Sequence, residues 1–187
     1  MRIIAGRFRG RRLTAVGKGD AGSHLRPTSD RVRESLFNVL THLDVLDGAE
    51  VLDLFAGTGA LGLEALSRGA DHVTFVENGR IGQALIQENI KLIGASDQTR
   101  LVKRDATRLG QADRPATLVF LDPPYGKALG EKAIAAVLDG GWLAPDALIV
   151  WEEAHRVDPP AGFILEDSRT YGGTHITFLR FANNRML

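Results

Sequence analysis

The sequence contains no cysteine among its 187 residues, which excludes disulfides, thiolate metal sites and a cysteine nucleophile. Aromatic residues make up only 6% of it, with two tryptophans and two tyrosines. No apolar stretch approaches the roughly 20 residues that span a bilayer. The start, Met1 to Arg12, is basic and lacks the apolar h-region of a signal peptide. A soluble, cytoplasmic chain with no membrane partner is expected. The five histidines (His24, His42, His72, His155, His175) show no metal-ligand spacing, so no metal is expected either. Net charge is also absent, because 23 Lys and Arg balance 23 Asp and Glu.

What is present is an ordinary globular composition, 44% hydrophobic and 25% charged. The length suits one domain with a small appendage and a sizeable core. Charge is unevenly spread. Residues 1–40 hold nine basic and three acidic side chains, a net +6, which leaves −6 on the remaining 147. A basic arm on an acidic body points to a polyanionic partner or to a solvated basic surface, and charge alone does not choose.

The pattern along the chain divides at residue 42. Arg2–Ile4 and Arg7–Val16, broken by Gly6 and Gly10, predict short strands or a small hairpin. Lys18–Ser23 reads as a glycine-rich loop, and Pro27-Thr28-Ser29-Asp30 supplies N-caps for a helix running to about His42. From Ala49 onward strands and helices alternate. Strands are predicted at Val51–Leu54, Val73–Val76, Arg100–Lys103, Thr117–Leu121 and Ala147–Trp151, with helices at Ala60–Arg68, Ile81–Ile93 and Lys132–Leu138. Phe163–Thr170 and Thr174–Phe181 read as a closing antiparallel pair. This is an α/β pattern, a parallel sheet with helices on both faces. Residues 1–42 form a basic extension and 43–187 the body.

Two motifs carry chemistry. In Val51 to Gly62 a strand ends at a glycine-rich turn that opens a helix, so backbone can approach a ligand closely. Gly57, Gly59 and Gly62 match G-x-G-x-x-G, and Glu77 follows Gly57 by twenty residues. That pattern alone fits a nicotinamide dinucleotide site. Asp53, at the strand end before the glycines, argues otherwise. A carboxylate there faces an incoming pyrophosphate badly and suits a ligand bearing an ammonium or sulfonium group. Glu77 at the next strand tip suits two ribose hydroxyls.

The second motif is Asp122-Pro123-Pro124-Tyr125 after the apolar strand Thr117–Leu121. The prolines fix the backbone and leave nearby carbonyls without local N–H partners, free to accept from a substrate amine. Tyr125 offers a face on which a base can stack. As a bare string this is also an ordinary turn. Both motifs fall at the carboxyl edge of the sheet, where such folds bind ligands. Glu152 and Glu153 read as a solvated strand end, and Trp142 and Trp151 as core or rim.

Together these residues resemble the seven-stranded, Rossmann-like methyltransferases that use S-adenosylmethionine, and Asp122 to Tyr125 resembles the motif of their exocyclic-amine subset. Arg2-Ile3-Ile4-Ala5-Gly6, Arg9 to Leu13, Arg26 to Asn38 and Asp53 to Gly69 are similar to the signature of the RsmD-type enzymes. That family methylates a guanine N2 of 16S, small-subunit ribosomal RNA.

The resemblance covers roughly residues 1–151, and it implies roles. Asp53, Phe55, Gly57 and Gly59 would surround the methionine part of S-adenosyl-L-methionine, Glu77 with Asn78 the ribose, and Asp105 with Ala106 the adenine. Arg26 and Thr28 would close over the cofactor, and Asp122, Pro123, Pro124 and Tyr125 would form the catalytic base site. Arg7, Arg9, Arg11 and Arg12, extended by Arg31 and Arg33, would contact ribosomal RNA, expected within a small-subunit particle. A monomer is expected. Adenine N6 in DNA or RNA is the alternative target, since the four-residue motif does not choose between amines. A nicotinamide oxidoreductase and a non-catalytic RNA-binding module are the rivals from other classes.

Overall fold

Chain order is α1 (Asp30–His42), β1 (Glu50–Leu54), α2 (Ala60–Ser67), β2 (His72–Val76), α3 (Arg80–Ile93), β3 (Thr99–Val102), β4 (Ala116–Leu121), α4 (Leu129–Asp139), β5 (Leu143–Glu153), β6 (Phe163–Tyr171) and β7 (Thr174–Phe181). These elements come from a computed structural model that describes residues 1–15 and 29–182. The predicted loop Lys18–Ser23, the end of the predicted strand at Val16, and Arg26, Pro27 and Thr28 lie outside the described residues.

All seven strands join one sheet in the order β3-β2-β1-β4-β5-β7-β6. The first five are mutually parallel, and β7 inserts antiparallel between β5 and β6. The central strands are apolar on both faces because both are covered. Val51, Val73, Phe75 and Phe120 pack with α1, α2 and α3, whereas Leu52, Leu54, Val119 and Leu121 pack with α4. Helix α1 starts where the Ser29 hydroxyl accepts the Val32 N–H at 3.3 Å. Its buried Phe37 then meets Phe120 with ring centroids 5.7 Å apart, a burial that stabilises by about 1.5–3 kcal/mol. Neighbouring strands run in opposite chain order on the two sides of β1, so a crevice opens at the carboxyl ends of β1 and β4.

Three elements differ from expectation. Strand β5 begins at Leu143, four residues before Ala147, and a register shift lies between the pairs Ala116↔Leu143 and Leu118↔Leu148. Asp146 in that stretch has φ 59°, the kind of local irregularity that hides a strand start. Helix α4 begins at Leu129, not Lys132, and brings Gly130 against Trp151. A Cβ on Gly130 would lie 2.1 Å from the indole. The N-terminal strands reduce to a single antiparallel bridge, Arg2↔Arg12. It is supported by Ile3 N–H to Arg11 O at 3.0 Å and Gly10 N–H to Ile3 O at 2.9 Å. Turns at Gly6 and Gly10, with φ +82° and +81°, interrupt the rest.

The arm is nevertheless fastened to the body. Ile3 and Leu13 belong to the same core as α1, α2 and α3. Glu64 on α2, fully buried, accepts the Ile4 and Ala5 N–H groups at 2.8 and 3.1 Å and pairs with Arg68 at 2.8 Å. The Ser67 hydroxyl accepts the Phe8 N–H at 3.0 Å and donates to Ala5 O at 2.5 Å.

Candidate active site

The turn after β1 is built from left-handed residues. Phe55, Gly57 and Gly59 have φ 57°, 57° and 77°. A bulky side chain in this region is strained by about 1–3 kcal/mol, a cost that clusters at functional sites. Gly59 caps α2 without a side-chain bond. In its place the Asp53 carboxylate, 2% exposed, reaches across from β1 to accept the Gly62 N–H at 3.0 Å. Gly62 must be glycine, since a Cβ there would lie 2.5 Å from the Phe75 ring. Burial pushes the Asp53 carboxyl up to about 8, against the lowering effect of the Gly62 N–H and with a further rise from Glu77.

Glu77 stands at the tip of β2. Its two carboxylate oxygens accept the Gly57 N–H at 2.9 Å and the Gly79 N–H at 2.7 Å, so the residue fixes the glycine turn as well as facing it. Asn78 beside it is exposed. After β3, Asp105 Oδ1 accepts both the backbone N–H and the hydroxyl of Thr107 at 2.8 Å, and Ala106 is buried. The local turn uses one oxygen of Asp105 in these bonds.

Asp122 follows β4. Leu121 pairs with Leu54 on one side and Trp151 on the other, so Asp122 and Glu152, each one residue further, emerge side by side. Phe120 and Val150 point to the α1 face of the sheet, and Asp53 is in register with Phe120. Three neighbouring strands thus deliver Asp53, Asp122 and Glu152 to one edge. The Asp122 carboxyl is held well above the usual carboxylate range, first by desolvation and then by the negative charges of Glu152, Asp53 and Glu153. Tyr125 donates its hydroxyl to Glu152 at 3.1 Å and lies 3.3 Å from the Thr174 hydroxyl. Burial pushes this phenol up to about 12, with Thr174 opposing and the nearby carboxylates adding. Glu152, read from sequence as a solvated strand end, is part of the site.

Among the arginines, Arg7, Arg9, Arg11, Arg12 and Arg31 are exposed. Arg33 is not. It is 1% exposed, and its guanidinium donates to Arg2 O and to Asp30 Oδ1, so it holds the arm to α1 and cannot face RNA. Its place on the buried stripe of α1 with Leu36, Phe37 and Leu40 is the signal that helical spacing offered. Arg7 donates to Gln98 at 2.6 Å and lies 4.5 Å over the Phe8 ring. A groove of about 310 Å³ between arm and α1 is lined by Arg2, Arg9, Arg31, Asp30 and Glu34. A second cleft, about 620 Å³, lies on the α4 side and is lined by Thr107, Arg108, Lys132, Ala136 and Asp139, with Thr107 the residue bonded to Asp105.

A parallel sheet closed by one inserted antiparallel strand, a glycine turn after β1, an acidic tip on β2 and Asp-Pro-Pro-Tyr after β4 define a class. This is an S-adenosylmethionine-dependent methyltransferase. The residues present fit that cofactor, for the turn admits backbone closely and buried acidic groups suit its sulfonium. The nicotinamide reading of the glycine pattern is set aside.

The model of the family described as Conserved hypothetical protein 95 matches residues 1–180, and the chain belongs to that family, the RsmD-type methyltransferases. It is 44% identical over 153 residues to Ribosomal RNA small subunit methyltransferase D of Escherichia coli (strain K12), covering 81% of this chain and 74% of the relative. It is 40% identical over 179 residues to the protein of that name from Haemophilus influenzae, covering 92% and 89%. The solved structure of yhhF from Escherichia coli matches with a TM-score of 0.82 at 38% identity over 97% of both chains.

Proposed function

We propose that the protein transfers a methyl group from S-adenosylmethionine to the exocyclic N2 of a guanine in small-subunit (16S) ribosomal RNA. The observation that supports guanine is the side-by-side emergence of Asp122 and Glu152 beside Tyr125. The Watson–Crick edge of guanine presents N1–H and N2–H donors in a row. That of adenine alternates a donor with an acceptor. An ionised carboxylate only accepts, and the guanine N–H donors favour that form of Asp122 against the burial that raises its pKa, so two adjoining carboxylates match guanine and leave adenine N1 opposed to an acceptor.

When bound, S-adenosylmethionine supplies an electrophilic methyl on a sulfonium centre. Asp53 and the turn from Phe55 to Gly59 hold its cationic end, Glu77 and Asn78 the ribose, and Asp105 and Ala106 the adenine. Asp122 and a carbonyl of Pro123 or Pro124 accept the two N–H bonds of the target amine and hold its nitrogen toward the methyl. Tyr125, its hydroxyl anchored by Glu152 and Thr174, stacks on the extruded base, which returns about 1–3 kcal/mol of the unstacking cost. The methylated amine is strongly acidic and would pass its proton to the Asp122 carboxylate or to water, with no dedicated histidine.

Residues 1–42 form the RNA-facing extension, with Arg7, Arg9, Arg11, Arg12 and Arg31 on phosphates, and 43–187 carry the chemistry. Relatives named for small-subunit ribosomal RNA support this substrate. The test supplies methyl-labelled cofactor with naked 16S RNA, assembled small subunits and duplex DNA. Label in an RNA-containing substrate is the expected outcome, and label in DNA alone overturns the reading.

A further inference from the structure

Asn89 is a buried polar residue at which the basic arm and the cofactor turn meet. It sits on α3 with no solvent exposure, and its amide is used completely. Its Oδ1 accepts the Thr14 N–H at 2.7 Å, and its Nδ2 donates to Thr14 O and to Thr58 O, both at 3.0 Å. Thr14 lies two residues after Arg12, and its hydroxyl also donates to Glu88 at 2.9 Å. Thr58 lies between Gly57 and Gly59, at the middle of the turn. A side-chain amide has two donors and one strong acceptor, and here two go to the arm and one to the turn. Losing the arm therefore leaves a buried polar group unpaired next to the cofactor turn.

A second connection reinforces the first. Glu64 and Ser67 hold Ile4, Ala5 and Phe8 from the later part of α2, the helix that the cofactor turn leads into. Neither residue touches the turn itself; the arm reaches it through Asn89 and through Met1, whose sulfur accepts from the Thr58 hydroxyl at 3.8 Å, and of the two only Asn89 bonds the backbone of both arm and turn.

We propose that Asn89 is a positioning residue that couples the docking of the arm to the conformation of the Gly57-Thr58-Gly59 turn. RNA binding through the arm and cofactor binding at the turn then favour each other. This rests on the proposal that the arm binds RNA. Coupling of this kind is reciprocal, the same factor in both directions.

The experiment measures the dissociation constant of 16S RNA with and without saturating S-adenosylhomocysteine, which binds without turnover, and that of S-adenosylhomocysteine with and without RNA. The wild-type protein should show one factor, about fivefold or more, in both directions. In Asn89→Ala, with its fold checked by circular dichroism, the factor should fall toward one. Thr14→Pro, which removes the arm-side N–H and leaves the Asn89–Thr58 bond in place, should lower it too and carries the test if Asn89→Ala does not fold. A merely structural Asn89 would weaken both ligands and leave the factor unchanged, which overturns the proposal, as does a wild-type factor of one. Replacing Arg9, Arg11 and Arg12 with Ala separates the two readings. Unchanged RNA affinity in that variant refutes the arm as RNA interface, whereas weakened RNA binding with an intact factor in Asn89→Ala refutes the coupling alone.

Discussion

The carboxyl of Asp53 makes cofactor affinity depend on pH in a way that can be worked out in advance. Buried at the end of β1, it is pushed up to about 8. At pH 7 about one site in eleven is then ionised, and at pH 9 about ten in eleven. If the cationic cofactor binds the ionised form, its apparent affinity scales with that fraction and rises about tenfold between pH 7 and pH 9. The product, S-adenosylhomocysteine, carries the same amino and carboxyl groups but no sulfonium charge, so the ratio of the two affinities isolates the effect. Calorimetry from pH 6.5 to 9 should show this ratio rising with pH, with about 0.9 proton released per cofactor bound at pH 7.

The stability consequence has the opposite sign. A folded carboxyl raised from 3.8 to about 8 keeps a proton that the unfolded chain releases, so the stability it confers is full below about pH 4 and declines toward pH 8. Asp53→Asn keeps an acceptor for the Gly62 N–H and should flatten both profiles. An affinity ratio independent of pH, or one equally steep in Asp53→Asn, would refute the assignment of Asp53 to the cationic end of the cofactor.

Three further outcomes follow from named contacts. Asp122→Ala should lower methyl transfer by on the order of 10²-fold through lost alignment of the amine, with cofactor affinity unchanged by calorimetry. Lost cofactor affinity with normal turnover would remove Asp122 from the base site. Glu64→Ala leaves Arg68 without its buried partner and two arm N–H groups unbonded, and should cost about 3–5 kcal/mol in urea unfolding. Replacing Arg9, Arg11 and Arg12 with Ala should make the salt dependence of RNA binding shallower by about two to three in log–log slope, at about 0.7–0.9 per phosphate contact.

The parts of the molecule set by local patterns were legible in the sequence. Val51–Leu54 with its glycine turn, Val73–Val76 with Glu77, and the closing pair around Gly172 all fall within a residue or two of β1, β2, β6 and β7. Asp53, Glu77 and Asp122 stand at the carboxyl ends of β1, β2 and β4, because parallel strands in register bring those ends to one edge, and Asp105 follows β3 by three residues. What escaped was set by distant partners. Arg33 reads as one more basic residue of the arm until the Arg2 carbonyl and Asp30 enclose it. Glu64 and Asn89 look like ordinary helix polar residues, yet their partners lie about sixty to seventy-five positions away. Glu152 looks like a solvated strand end until Tyr125, 27 positions earlier, turns its hydroxyl to it. The start of β5 was hidden by Pro145-Asp146, a turn-like pair that the bulge beside β4 absorbs.

The central claim is the identity of the amine, and one product analysis tests it most directly. RNA methylated by the wild-type protein with labelled cofactor is digested to nucleosides and separated by chromatography. Label in N2-methylguanosine, lost in Asp122→Ala, is the result predicted by adjoining carboxylates at the ends of β4 and β5. Label in N6-methyladenosine would contradict it and show that the same fold and motif present an adenine edge instead.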